Sequence, residues 1–480
     1  MKGQQRMAEE ENRFKKKKKR KWQFPDTYVL ILGLMLLAVV MTYVVPAGNF
    51  ERMEDPSSGQ MVVQPGTYES AEQTPVSFLD FFMAVPQGLE KNAVTVFFIF
   101  LIGGCFGVVN ATGSLHQLIR KSITAGKGKS GEIIIAVLLI VFGLAGGVVG
   151  MAEECLAFLP ILVTLAIGLG YDAVVGVAIM LMGVCFGYGT APINPFTVGL
   201  AQSIAGLPLF SGMWYRWILW GVSAVVAVAF LIHYCRKVKA DPSKSLVADL
   251  DYSEFCLEDV GETKLTKRQG AVLTCFFGGI ILLMAMIVLK GWYMTELSAY
   301  FFGLALVCGL VYGMSLNEMA RHFVDGMKDM VYPAILVGIA AGISIIMENG
   351  NILDSIVNAF AQPLSHTPQV INGGLMMFVQ TLINLFIPSG TGQAVVTMPL
   401  MAPLADVVGI TRQTAVLAYQ LGDGCSNCII PTGAMMMAAI SFGKVPYVRW
   451  AKFIAKWLGL QLIIGFSFCV IASVIQLGPF

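Results

Sequence analysis

The chain has 480 residues, 56 % of them apolar and only 13 % charged, and a formal net charge of +2. Soluble domains carry roughly a quarter charged residues, so a soluble enzyme is excluded. Apolar segments of about 18–23 residues recur throughout without barrel-type alternation, which indicates an all-α polytopic membrane protein in contact with the lipid bilayer.

Residues 1–26 form a basic tail ending in FKKKKKRKW (Phe14 to Trp22), directly before the first apolar run at 27–46. The positive-inside rule places this tail in the cytoplasm, and the lysine run is not taken as a nucleic-acid site. No short apolar core with a small-residue cleavage site marks a removed signal peptide. The polar loop that follows carries a single arginine, as an outside loop should. SFLDFFMAVPQGLEKN (77–92) reads as an amphipathic interfacial helix, 93–112 returns inside, and LHQLIRKSITAGKGKSGE supplies four basic residues for the cytoplasmic face.

Two apolar limbs follow, at 132–149 and 153–169, with GMAEE between them. The run 172–206 would measure about 50 Å as one helix, beyond a hydrocarbon core of about 30 Å. Gly187, Gly189, Pro192, Asn194 and Pro195 stand in its middle, so it is expected to be a broken span. A span at 212–234 then leads to the basic loop 235–268. Because 113–131 and 235–268 should share a side, the two limbs contribute either no crossing or two. A re-entrant hairpin is preferred, since it sets the acids of GMAEE at membrane depth against protein.

Residues 269–480 repeat the plan of 27–234. Spans at 269–290, 296–314 and 331–348 precede limbs at 371–388 and 393–408, an interrupted run at 412–443 and a last span at 454–476. Pro160 and Pro399 lie 239 positions apart, and so do Gly170 and Gly409, Gly183 and Gly422, and Pro192 and Pro431. Five crossings separate equivalent elements, and odd parity makes the repeats inverted. Backbone that leaves the helix in a membrane survives only inside protein or around a water-filled site. Inverted repeats with broken helices near the midplane are the architecture of secondary transporters, whose half-helix N-termini attract anions.

The candidate binding residues lie at these discontinuities. On the second tip, Ser389, Thr391 and Gln393 offer neutral ligands, while Gly390 and Gly392 permit a tight turn. On the first tip, Glu153 and Glu154 add charge. An acid at membrane depth costs about 2.5–3.5 kcal/mol and is a functional candidate by default, although one of the pair can be simply a helix-end charge. The first break adds Thr190, Asn194 and Thr197; the second, QLGDGCSNCIIPTGA, adds Asp423, Ser426, Asn427 and Thr432. Cys425 and Cys428 have no second cysteine pair or histidine cluster nearby, so no metal site is expected there. Arg412 and Asp172 fall at the expected interfaces and read as surface anchors.

The strings AFLPILVTLAIGLGYDAVVGVAI, NPFTVGLAQSIAGLP, PSGTGQAVVTMPLMAPLADVVGITRQTAVLAYQ and GDGCSNCIIPTG resemble the YfcC-like branch of the C4-dicarboxylate anaerobic carrier family, within the ion transporter superfamily. The resemblance implies an inverted-repeat carrier with two re-entrant hairpins, an elevator-type movement, a bacterial inner-membrane location and, at family level, a homodimer. The Ser426–Asn427 pair is similar to the Ser-Asn-Thr tips of dicarboxylate relatives, with Cys428 in the third place. The resemblance leaves two substrate classes, C4-dicarboxylates and basic amino acids. No lysine or arginine occurs at the tips or breaks, and three acids do. The expectation is therefore an antiporter of the arginine/ornithine type, with a Na+- or H+-coupled dicarboxylate carrier as the alternative and Na+ near the hairpin tips. A channel should show rings of like charge or a repeated filter. An intramembrane enzyme should show a constellation such as H-E-x-x-H, and a nucleotide-driven pump G-x-x-x-x-G-K-[ST]. None of these is in the sequence.

Overall fold

The apolar runs are helices because only a helix pairs every backbone polar group within its own segment. A computed structural model of the chain describes residues 27–54, 61–64, 66–115, 117, 130–255, 265–290, 292 and 294–478. The basic tail and parts of the two basic connections lie outside the described residues. Among the described residues, five helices are long and apolar enough to cross a membrane: Ala93–Ala111, Gly131–Val149, Met213–Ala240, Thr295–Tyr312 and Tyr447–Val474. A sixth candidate is the pair Leu316–Asp329 and Ala334–Asn349, bent by 42°. The chain is an all-α polytopic membrane protein.

One local feature departs from the all-α expectation. After α1 (Thr27–Val44), the loop holds β1 (Gly48–Asn49), β2 (Arg52–Glu54), β3 (Met61–Val63) and β4 (Glu69–Ser70), paired antiparallel as β1–β4 and β2–β3. Two-residue and three-residue strands give too short an alternation to be read from sequence. Then come α2 (Phe78–Lys91) and α3 (Ala93–Ala111). The first helix pair is α4 (Ser130–Leu144), extended by a π turn at Ala145–Val149, and α5 (Leu159–Gly168), entered through a 3-10 turn at Glu153–Phe158.

Helix α6 (Ala173–Gly189) stops short of a π turn at Pro195–Gly199 that opens α7 (Leu200–Ile204), and α8 (Met213–Ala240) follows. The second half contains α9 (Lys267–Lys290), α10 (Met294–Tyr312), α11 (Leu316–Asp329), α12 (Val331–Asn349) and α13 (Leu353–Ala361). It closes with α14 (Gln369–Asn384), α15 (Gly390–Val407), α16 (Arg412–Ser426), α17 (Ala434–Phe442) and α18 (Tyr447–Val474).

Matching devices recur 238 or 239 positions apart. Ser77 and Ser315 open α2 and α11 with capping boxes closed by Asp80 and Glu318, which satisfy two orphan amides each. Asp172 and Thr411 cap α6 and α16 through the amides of Val175 and Thr414. Left-handed residues follow helices at the same spacing: Gly113 and Asn351, Gly170 and Gly409, Gly206 and Lys444. Asp172 is thus no surface anchor. It is 8 % exposed, and it also accepts from Tyr234 Oη and Ser245 Oγ.

Packing follows the same pairing. α2 lies on α12 and α11 lies on α3. A Cβ on Gly88 would stand 3.0 Å from the Gly342 amide nitrogen, and one on Gly326 would stand 2.8 Å from Gly107 Cα. Each amphipathic helix therefore rides directly on the backbone of a long helix from the other half. α6 and α16 are buried along almost their whole length and touch near their C-terminal ends, where a Cβ on Gly189 would be 2.7 Å from the Cys425 amide. The apolar side chains left exposed, such as Leu37, Val40, Val225, Ile281 and Ile463, form the lipid-facing surface.

Gly88→Val and Gly326→Val force these helix pairs apart, and overpacking of this kind costs about 1–3 kcal/mol. Each variant should melt at a lower temperature than wild type in detergent, measured by fluorescence-detected size-exclusion after heating. An unchanged melting temperature would remove the backbone contact from the fold's support.

Candidate functional site

Helix α15 begins in Ser-Gly-Thr-Gly, and that start is open to a cavity. Ser389 is its N-cap, with Oγ accepting from the Gly392 amide at 3.3 Å. Pro388, Ser389 and Gly392 line a cavity of about 660 Å³, together with Thr432 from the second break and Ser344 and Glu348 of α12. The lining is continued by the loop after α1 (Asn49, Arg52), by Lys91 at the end of α2, and by Asn351 and Asp354 before and within α13. The positive end of the α15 dipole therefore shares this cavity with the charged side chains of Arg52, Lys91, Glu348 and Asp354.

The tip is held from behind by its own hairpin. Gln393 Nε2 donates to the Gln380 carbonyl at 2.9 Å and to Gln380 Oε1 at 2.6 Å, while Gln380 Nε2 donates to Thr397 Oγ1 at 3.1 Å. The amide of Gln393 thus staples α14 to α15, and its Oε1 is buried without a hydrogen-bond partner. Thr391 Oγ1 donates to the Phe196 carbonyl at 3.3 Å, and Tyr419 Oη donates to the Gly390 carbonyl at 2.6 Å. The second tip is in this way joined to the first break and to α16.

Gly390 is the crowded point. A Cβ there would lie 2.7 Å from Thr197 Cγ2 and 3.1 Å from both Asp423 Oδ2 and Tyr188 Oη. Asp423 is fully buried; its Oδ1 accepts from Asn427 Nδ2 at 3.4 Å, while Oδ2 has no hydrogen-bond partner, and neither does the buried Thr197 Oγ1. Buried oxygens without partners are rare enough in native proteins to need a reason. Asn384, at the end of α14, grips the second break: its Nδ2 donates to the Asp423 carbonyl, Ser426 Oγ and Asn427 Oδ1 at 2.9, 2.7 and 2.8 Å. Thr432 Oγ1 donates to the Leu385 carbonyl at 3.1 Å.

The first break is tied to the first helix pair. Asn194 Oδ1 caps the turn at Phe196, its Nδ2 donates to the Gly146 carbonyl at 3.2 Å, and Thr190 Oγ1 returns to the Phe186 carbonyl. Glu154 is 6 % exposed, and its Oε2 accepts from the Ala152 amide at 2.8 Å, which is a helix-end role. The turn bearing Glu153 and Glu154 packs on α3, α6 and α17. Of the candidate residues, Ser389, Gly392 and Thr432 line the cavity, and Gly390, Thr197 and Asp423 converge just behind it.

Sequence reasoning missed the cationic wall. Arg52 Nη2 pairs with Asp354 Oδ1 at 2.8 Å, and Lys91 Nζ spans both Glu348 oxygens at 2.7 and 2.8 Å. Neither cation is near a tip in sequence; only the packing of α2 on α12 and of the loop on α13 brings them there. Arg216, fully buried, likewise reaches the first break by donating to the Pro192 carbonyl at 3.3 Å. The absence of lysine and arginine within the tips and breaks therefore does not describe the surroundings of the site. Tyr419 did carry a signal, since it sits one helical turn before Asp423 on the same face.

The sequence profile of a family described as C4-dicarboxylate anaerobic carrier matches residues 24–474. The chain is 32 % identical to the Putative basic amino acid antiporter YfcC of Escherichia coli K12, covering 93 % of this chain and 96 % of that protein. It is 29 % identical to an uncharacterised Haemophilus influenzae protein, covering 94 % and 97 %. Among solved structures, the Alcanivorax borkumensis YdaH transporter aligns with 16 % identity over 95 % of this chain and 100 % of that one, at a TM-score of 0.44.

Asp423→Asn keeps the shape of the buried side chain and removes its charge. Transport should fall by about tenfold or more, as expected for an intramembrane acid with a function, with the elution profile in detergent unchanged. Glu154→Gln retains an oxygen for the Ala152 amide and should keep most of the transport rate. Equal rates for wild type and Asp423→Asn in a proteoliposome flux assay would take Asp423 out of the site.

Proposed function

Since the chain belongs to the C4-dicarboxylate anaerobic carrier family, and is therefore a multi-pass secondary transporter of small solutes rather than an enzyme, we propose that it carries small dicarboxylates coupled to Na+ or H+. The observation behind this reading is the cavity itself. Its lining combines the capped N-terminus of α15, which favours a carboxylate, with Arg52 and Lys91, which favour a second. The unpartnered oxygens of Asp423 and Thr197 beside Gly390 support a place for the coupling cation immediately behind the tip.

The matched caps and left-handed turns 238 or 239 positions apart support an inverted repeat. In register, α4 lies along α6 as α14 lies along α16: a Cβ on Gly183 meets the Leu139 carbonyl, and one on Gly422 meets that of Met377. This supports equivalent places in the fold for the two helix pairs. The cavity lies between one group formed by α2, α12, α13 and the first loop and another formed by the second tip and second break. An elevator movement would slide the second group past the first, carrying the bound solute. With the basic tail in the cytoplasm, the cavity opens to the outside of a bacterial inner membrane.

A second reading, exchange of basic amino acids, draws on Glu348 and Asp354 in the same wall and on the name of the Escherichia coli relative. There the tip would hold the α-carboxylate and the acids the cationic side chain.

Labelled succinate and labelled arginine, offered side by side to proteoliposomes with and without a Na+ gradient, separate the readings. Saturable succinate uptake that responds to the Na+ or pH gradient is the expected result. Arginine-for-arginine exchange with no succinate uptake would transfer the site to amino acids, and unsaturable flux of both would make the protein a channel.

A further inference from the structure

The two cations in the cavity wall are not equivalent. Lys91 is held by both oxygens of Glu348, so its charge is matched at close range by a partner of similar exposure, 46 % against 43 %. Arg52 is held differently. Its partner Asp354 is only 3 % exposed, whereas the arginine side chain is 39 % exposed. Asp354 gives one oxygen to Arg52 Nη2 at 2.8 Å and the other to the Phe50 amide at 3.0 Å. The carboxylate is therefore fixed beneath the loop, and the guanidinium stands above it towards the cavity. A guanidinium has five N–H donors; Arg52 uses one on Asp354 and one, at 3.4 Å, on the Phe50 carbonyl. The others have no protein partner among the described residues.

The loop that carries Arg52 is anchored at several points. The Gly48 amide donates to the Asn351 carbonyl at 3.0 Å, Tyr68 Oη donates to Ser355 Oγ at 3.0 Å, and Phe50 stacks edge-on against Tyr68 with ring centroids 5.3 Å apart. Strand β3, paired with β2, packs on α15, and Val63 is 1 % exposed. The arginine is thus pre-organised, with a planar fork suited to bidentate recognition of a carboxylate.

We propose that Arg52 is the specificity-determining residue of the transporter, receiving the solute carboxylate distal to the α15 tip, with Asp354 as its positioning residue. This rests on the dicarboxylate reading given above and adds to it the group that distinguishes a dicarboxylate from a monocarboxylate of the same size. A solute with one carboxylate satisfies the tip and leaves the Arg52 donors unused; a solute with two satisfies both ends.

The test measures succinate uptake by the full-length protein in proteoliposomes, and its inhibition by succinamate, the monoamide of the same length. Wild type should prefer succinate to succinamate by about tenfold or more, the worth of one charge-assisted pair. Arg52→Gln should raise the KM for succinate by a similar factor at near-unchanged maximal rate and abolish that preference. Arg52→Lys, which keeps the charge without the fork, should recover part of it. Asp354→Asn leaves one oxygen for the Phe50 amide but takes the charged partner from Arg52, so the preference should fall to a value between those of wild type and Arg52→Gln. If the ion pair serves only to hold the loop, Arg52→Gln and Asp354→Asn should behave alike and the preference should survive both, which would overturn the assignment. Succinate uptake with an unchanged preference in Arg52→Gln also overturns it and leaves the dicarboxylate reading standing. No succinate uptake by wild type overturns that reading and this assignment with it.

Discussion

The requirement that no backbone polar group be left unpaired in hydrocarbon shapes nearly everything in this chain. Where α6 and α16 stop, side-chain amides and hydroxyls take over the pairing. Asn194 does this at the first break and Asn384 at the second, one by capping Phe196 and bonding Gly146, the other by holding the Asp423 carbonyl and the Ser426–Asn427 pair. The discontinuities are tolerated because each is bound to a neighbouring helix pair, while Gln393, Thr391 and Tyr419 fix the start of α15 at the cavity.

The contrast between the two central helices follows from this. α6 is apolar all round and serves as a buried pillar. α16 is equally buried but carries Gln413, Thr414, Tyr419, Gln420, Asp423 and Ser426 at 0–2 % exposure. A helix can keep so many polar groups from water only if they answer one another or a ligand. Several are answered by neighbouring elements: Gln420 Nε2 donates to the Tyr188 carbonyl, Gln413 Oε1 accepts from Arg216 and Gln202, and Tyr419 donates to Gly390. Asp423 Oδ2 has no such answer.

Much of this architecture was legible in the sequence because helix breakers and caps act locally. Pro192, Asn194 and Pro195 mark the first break, GDGCSNC marks the second, and SGTG marks the tip. Each is a short-range statement about dihedral angles and orphan amides, and a helix ends or begins at each of them: α6 ends at Gly189, α16 at Ser426, and α15 begins at Gly390. The cavity's chemistry was not legible. Arg52 and Asp354 are separated by 302 positions and Lys91 and Glu348 by 257, and no local rule links residues so far apart. The roles of Glu154 and Gln393 were ambiguous for a related reason: an acid or amide at a helix start can face a solute or serve its own backbone. Glu154 Oε2 and the Gln393 amide serve the protein.

The exchange of amphipathic helices between the halves has a bearing on how the molecule is made. α2 belongs to the first half but rests on α12, and α3 receives α11; the glycines at both contacts leave no side chain to shield either surface. During synthesis, α2 and α3 must wait in the membrane or at its surface until the chain has grown past Asn349. Packing of α2 and α3 is thus completed by helices that lie far downstream in the chain.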